Sequence, residues 1–297
     1  MEIMAVIKSK VNYLTNKDML EEIQRSKNTY SSYISNEYAI YDFITTDLNL
    51  VTPEVLEEQQ QIKIQNFIVK TKKQKSQEGI KNFEVAVNKD DFPLDHIVIR
   101  LMTPDHIPLL ENPEKLAKAK TEYDRHIKVN FPPFQHFIFK DGSWSCVGKS
   151  HWRGGMANGE FSDKHGRITN RLALMFMKLI EKYSQKGNWR NYSYIDEMRS
   201  QALTHLTHVG LKFDESKGSN PFAYCTTIIT TSFCGVLNSE KKSQSIRDDL
   251  LIMHGATPSH TRQVEDAILQ QQAFVLDEAI KKQLKDKEKI TKKGYDK

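Results

Sequence analysis

The sequence predicts a mainly α-helical protein, a helical bundle with a small α+β or irregular segment inserted into it. Two observations carry this expectation. Apolar residues recur at three- and four-residue spacing near the N-terminus and, more strongly, from residue 168 onward, the period of a helix that buries one face. Between those stretches, over residues 83–140, short alternating runs are punctuated by prolines at 93, 104, 108, 113, 132 and 133, which break helices and bound strands.

Residues 16–27 read as a helix that Asn16 or Asp18 can cap, with Met19, Leu20 and Ile23 on one face. A polar stretch bearing Tyr30, Tyr33, Tyr38 and Tyr41 follows. Thr52-Pro53-Glu54 opens a second helix, a capping hydroxyl followed by a first-turn proline. It runs through Val55, Leu56, Ile62, Ile64 and Phe67 and dissolves at Lys70-Thr-Lys-Lys. In the proline-punctuated segment, Phe83-Glu-Val-Ala-Val alternates, residues 96–101 are rich in β-branched side chains, and Phe137-Ile-Phe-Lys-Asp-Gly has the form of a strand entering a turn. Leu172, Met175, Phe176, Leu179, Ile180 and Tyr183 then make one helical stripe, stopped by Gly187. A further helix starts near Ser193, with Ile195, Met198, Ala202, Leu206 and Val209 inward and Gly210 near its end. Asn220-Pro221 starts another, burying Phe222, Cys225, Ile228 or Ile229, Phe233 and Val236. Two more helices are expected over 246–254 and 261–284, separated by Gly255 and Pro258. The expected parts are an N-terminal helical segment (1–80), the Pro/Gly-rich insertion and loop (81–165), the bundle (166–256), and a C-terminal helix with a basic tail (257–297).

At 297 residues the chain can bury a real core, and no apolar run approaches the ~20 residues of a membrane helix. Residues 1–7 run into Lys8 and Lys10 without an apolar core, so no secretory leader is expected. Three scattered cysteines (Cys146, Cys225, Cys234) have no metal-ligand spacing and predict a reducing compartment, the cytoplasm. Residues 281–297 hold eight lysines against three acidic groups, an excess that equals the whole net charge of +5. A basic tail on a neutral body suits either a polyanion-binding arm or a solvated terminus.

No catalytic, metal or cofactor site is expected. Gly142-Ser-Trp-Ser-Cys-Val-Gly-Lys-Ser150 resembles a phosphate-binding loop, but five residues separate Gly142 from Gly148-Lys149-Ser150 where four are needed, and no helix start follows. It reads as a glycine-rich surface turn. Ser150, His151 and Asp163 lack a nucleophile elbow. His205 and His208 have no third ligand nearby, and the pairs Asp90-Asp91 and Asp248-Asp249 diverge into solvent. The segment from Trp152-Arg-Gly-Gly to Gly159-Glu-Phe161, with Lys149, Arg153, Lys164 and Arg167, suits phosphate contact and base stacking, or a plain bridging loop.

Residues 196–242 are the most specific part of the chain. Two amphipathic helices flank a tight connection in which Phe213 anchors the first helix, Asp214 and Ser216 can bond the turn, Gly218 opens it, and Asn220-Pro221 restarts a helix. The restarted helix carries Thr226, Thr227, Thr230, Thr231 and Ser232, hydroxyls of poor helix propensity that suit either a plain solvated helix face or a polar partner such as base edges or phosphates.

This stretch resembles region 2 of bacterial sigma factors, and more closely the late-transcription sigma factors of large tailed phages. The resemblance rests on an acidic helix, Phe213-Asp-Glu, the Lys217-Gly218 turn, Asn220-Pro-Phe-Ala-Tyr224 and the exit Glu240-Lys-Lys242, and covers residues 168–253. Asn16-Lys-Asp-Met-Leu is similar to the start of such proteins. The resemblance implies a subunit without chemistry of its own, which binds host core RNA polymerase and directs recognition and opening of late promoters. It puts Glu197, Ser200 and Gln201 against the coiled coil of the largest polymerase subunit. It puts Phe222, Tyr224, Thr227, Ile228, Thr230 and Thr231 on promoter DNA, with Lys241, Lys242 and Arg247 on phosphates beyond. Primary sigma factors carry a tryptophan pair where this chain has Thr227 and Ile228, so stacking passes to Tyr224 and Phe222. A phage coactivator and a sliding clamp are further partners of such factors, although clamp-docking ends are acidic and apolar whereas this one is basic. The competing expectations are a phage DNA-binding regulator that acts without polymerase and binds duplex DNA tightly by itself, and an enzyme, such as a nuclease or NTPase, within residues 83–165.

Overall fold

The computed structural model describes residues 14–77 and 85–294, the last ten of them and Gln77 by backbone alone. Most of the described residues are helical, with a small sheet. The chain divides into two compact units, one ending at Ser232 and one beginning at Phe233.

The first unit opens with α1 (Asn16–Asn28), whose side-chain cap is Thr15 rather than Asn16 or Asp18. Met19 and Ile23 are fully buried on it, as expected, and Lys27 continues the same stripe. The tyrosine-rich stretch is not a mere link. It supplies β1 (Ser31–Tyr33) and β2 (Phe43–Thr45), and α2 (Pro53–Gln77) follows. Helix α2 passes through Lys70-Thr-Lys-Lys without breaking, because nothing there removes a backbone donor or opens a turn.

Strand β3 (Ile99–Leu101) comes from the β-branched run, while 85–88 form no strand and Phe83 and Glu84 lie outside the described residues. After the short α3 (Pro113–Ala117), β4 (Gln135–Lys140) and β5 (Ser143–Ser150) make a hairpin across Asp141-Gly142. Both turn residues have positive φ, 51° and 78°, the backbone that Asp-Gly favours in two-residue hairpins. The stretch read as a surface turn, residues 142–150, is therefore a strand in all but Gly142. The sheet order is β1-β5-β4-β3-β2, antiparallel except for the β2–β3 pair. Two of its strands precede residue 81, so the expected boundary at 80/81 cuts through one sheet. Alternation along the extended run 97–99 that leads into β3 sets two faces: Ile97 and Ile99 pack with Leu56 of α2, while Val98 packs with Ile138, Val147, Tyr38 and Tyr41. The short hairpin β6 (Trp152–Arg153) and β7 (Glu160–Phe161) leads into the helical part.

Helices α4 (Asn170–Ser184) and α5 (Ile195–Val209) bury the stripes that the sequence predicts. Leu172, Met175, Phe176 and Ile180 are buried on one, and Met198, Ala202 and Leu206 on the other. Thr169 caps α4 through the Leu172 N–H. Gly210, at the end of α5, lies so close to the Phe176 ring that an added Cβ would sit 2.7 Å from its Cζ. Helix α6 (Pro221–Met253) merges the two helices expected over 221–236 and 246–254, since no glycine turn or proline interrupts 237–245. The division at Ser232/Phe233 falls within it, not at the expected 256/257.

In the second unit α6 ends at Gly255, in left-handed backbone with φ 69°, where Gly255 and Ala256 N–H groups bond the Ile252 and Leu251 carbonyls. Asp248 accepts from the Ser259 N–H and hydroxyl, at 2.8 and 2.7 Å, and α7 (His260–Gly294) follows. No described helix is long and apolar enough to cross a membrane.

Candidate polymerase and nucleic-acid interface

Helix α5 exposes Glu197 and Ser200 about one turn apart, because the opposite stripe of Met198, Ala202 and Leu206 is buried. Gln201 is half-buried between these faces. The Ser232 hydroxyl donates to the Ile228 carbonyl (2.8 Å), so the His205 Nδ1–H donates to Ser232 Oγ (2.7 Å) and His205 Nε2 accepts from the Gln201 amide (3.2 Å). That chain engages the Gln201 amide nitrogen at the edge of the helix.

Helix α6 starts at Asn220, whose Oδ1 accepts the Ala223 N–H at 3.0 Å, the cap that the sequence predicts. Asn16 accepts the Phe222 N–H at 3.3 Å, so it caps α6 instead of α1. The hydroxyls of α6 find their donors' partners in the helix itself: Thr227, Thr230 and Thr231 bond the carbonyls of Ala223, Thr226 and Thr227. Thr230 also accepts from the Tyr183 hydroxyl at 2.6 Å. Of the two expectations for this face, the one that needs an outside polar partner is corrected by these bonds. Thr227 and Thr231 remain exposed, with acceptor lone pairs open to solvent, while Phe222, Tyr224, Ile228 and Thr230 are half-buried. Tyr224 has a structural duty as well: its hydroxyl donates to the Val209 carbonyl (3.0 Å) and its ring lies 5.6 Å from that of Phe213. Burial pushes its phenol above the ordinary range. In the second unit, Lys241, Lys242 and Arg247 are exposed on α6.

The connection between α5 and α6 is tied to the rest of its unit by charge. Phe213 is buried, and its carbonyl accepts from Lys27 Nζ at 2.7 Å. Glu215, 3% exposed, takes Lys27 at 2.9 Å and Arg100 at 3.4 Å. Arg100 is itself fully buried, its guanidinium 3.9 Å from the Tyr41 ring centroid and 3.8 Å from that of Phe134. Its Nε–H donates to His136 Nε2 (3.0 Å), whose Nδ1–H donates to the Tyr38 carbonyl (2.6 Å). Burial and the Arg100 charge hold His136 well below its usual pKa, so it stays neutral in this role. Burial likewise lowers Lys27, against the pull of Glu215. Asp214 caps the turn by accepting from the Ser216 N–H (3.0 Å) and hydroxyl (2.5 Å); burial raises its pKa, and these bonds with Lys217 outweigh it and bring it below the usual range. Gly218 is not left-handed, so the turn does not depend on it as expected.

Sequence reasoning missed this ion cluster. The signal was Lys27 four residues after Ile23 on the apolar stripe, and Arg100 two residues after Val98 in a buried strand. It also missed a groove of about 530 Å³ between residues 102–133 and 212–217, with Tyr123, Pro132, Lys128, Lys212 and Lys217 among its walls. Trp152 is engaged within its own segment: its indole N–H donates to the Gly155 carbonyl (3.1 Å) and Lys149 Nζ lies 4.7 Å from its ring centroid. Ser150 and His151 are buried structural groups. Ser150 Oγ accepts the Phe134 N–H, and its carbonyl accepts from His106 Nε2 at 2.8 Å. Among the described residues, no group of three or more His, Cys, Asp or Glu side chains is placed to hold a metal ion. No family model, no curated protein and no solved structure matches the chain.

Proposed function

We propose that this chain is a late-transcription sigma factor of a large tailed phage, holding bacterial core RNA polymerase through α5 and promoter DNA through the first half of α6. The observation that carries the reading is the Phe213–Tyr224 motif joining two helices whose outward edges keep Glu197 and Ser200 on one and Thr227 and Thr231 on the other at the surface. Gln201 and Tyr224, which a purely internal role would seal in the core, each keep part of their surface open to solvent. A specificity subunit leaves the chemistry to the polymerase, and open hydroxyl acceptors beside Phe222 and Tyr224 suit bases that have left the duplex. Lys241, Lys242 and Arg247 supply phosphate contacts.

Retention of the full chain on immobilised bacterial core polymerase tests the reading. Wild type is expected to be retained, and Glu197→Lys to reduce retention without a change in thermal stability, since Glu197 is exposed. A folded chain that ignores core enzyme and binds duplex DNA tightly with a steep salt dependence is the stand-alone regulator instead.

A further inference from the structure

The groove between residues 102–133 and 212–217 holds none of the residues assigned to polymerase or DNA. Its floor is apolar: Met102, Ile107, Phe131 and Pro133 are buried there, and Pro132 is half-buried. A volume of about 530 Å³ is within the usual range of a binding pocket. The polar side chains on its walls are mostly committed. The Tyr123 hydroxyl donates to the Met102 carbonyl at 3.3 Å, the His126 Nδ1–H donates to the Glu122 carbonyl at 2.9 Å, and the Ser216 hydroxyl donates to Asp214. Such a floor offers little to the edge of a nucleobase, whose polar atoms would go unpaired, whereas an apolar side chain fills it without that cost.

The charges select the occupant. Lys128 stands on one wall and Lys212 and Lys217 on the other, all exposed, against the one carboxylate of Asp214 among the described lining residues. Lys217 lies 3.4 Å from Asp214, which leaves Lys128 and Lys212 in excess on opposite walls. Asp105 and Glu122 act on the Tyr123 phenol but do not line the groove. Behind the floor, Lys27 Nζ lies 5.5 Å from the Phe131 ring centroid, and the buried set of Lys27 and Arg100 against Glu215 adds no negative charge. A cleft with low-dielectric walls and charge of one sign focuses its field on a partner of the other sign. We infer that the groove docks a short acidic and apolar peptide segment of another protein, with aliphatic or aromatic side chains on Met102, Ile107 and Phe131 and carboxylates against Lys128 and Lys212.

Panning a displayed library of random peptides on the immobilised full chain tests this without polymerase or promoter DNA, so its outcome is separate from that of the transcription reading. Peptides that combine acidic with aliphatic or aromatic residues are expected to be enriched. A fluorescent peptide of that consensus should bind by anisotropy, more weakly as salt is raised, and should fail to bind once its apolar residues are changed to serine. Lys128→Glu with Lys212→Glu should weaken binding about tenfold with thermal stability unchanged, because both side chains are exposed. Lys178→Glu with Lys182→Glu makes the same charge change at exposed positions of α4 that do not line the groove, and should leave the affinity within about twofold. An absence of enrichment, enriched peptides without acidic residues, or equal binding by the groove and α4 variants overturns the inference. So does ATP that binds the wild-type chain and is lost with the groove variant, since the site would then be a nucleotide pocket.

Discussion

Lys27 and Glu215 meet at 2.9 Å across 188 positions of sequence, with both side chains almost excluded from solvent. Between them they join α1 to the connection that positions α5 and α6, and through Arg100 they reach the middle of the sheet. A buried pair of this kind is weak evidence of net stabilisation, yet removing one member strands the other.

Lys27→Met is therefore expected to cost about 3–5 kcal/mol in urea unfolding, since Glu215 keeps only the longer contact to Arg100. Arg25→Met is the control. Its pair with Glu22 is just as short, 2.8 Å, but Arg25 is 61% exposed and the buried Glu22 keeps the Thr169 hydroxyl at 3.1 Å and Arg171 at 3.6 Å, so the loss should stay below about 1 kcal/mol. Equal losses for the two variants would refute the distinction.

Acid should unfold the first unit through its buried histidines. Burial pushes His106 down to about 4 and His151 to about 3, while an unfolded histidine titrates near ~6.5. Between those values the unfolded chain binds the extra protons, so the stability is fully present above pH ~6.5 and is lost as pH falls towards 4 and 3. The loss is on the order of 3 kcal/mol for His106 alone. Urea midpoints measured from pH 7.5 downward should fall through this window, and His106→Gln should flatten part of the fall; a level profile would contradict it.

On α6 the exposed threonines separate fold from function better than Tyr224, whose hydroxyl and ring are engaged with Val209 and Phe213. Thr227→Ala with Thr231→Ala removes two hydroxyls that only back-bond the helix, so thermal stability should hold or rise by a few tenths of a kcal/mol. Promoter opening, read by permanganate reactivity of unpaired thymines, should drop while retention on polymerase is unchanged. Normal opening by this variant would remove Thr227 and Thr231 from the DNA contact.

Where one face of a helix is buried by neighbours in its own unit, the sequence was readable: the stripes of α1, α4 and α5 lie where their spacing puts them. The turn at Asp141-Gly142 was readable too, because its backbone leaves few other residues possible, but the strand that leaves it was not. The tyrosine-rich strands were not. Each is three residues long, and pairing with β5 and β3 from far along the chain decides them. The α6 hydroxyls were ambiguous for a related reason. Side chains that bond their own helix look, in one dimension, like side chains waiting for a partner.

The Lys27 contact also has a consequence in time. At a synthesis rate of roughly 5–20 residues per second, the ribosome needs about 10–40 s to deliver Glu215 after Lys27 has been made. Through that interval the ammonium has no carboxylate to close on, and the N-terminal helix cannot dock without burying a lone cation. A nascent chain arrested short of residue 215 should accordingly leave its first helix open to protease, and release of a few dozen further residues should close it.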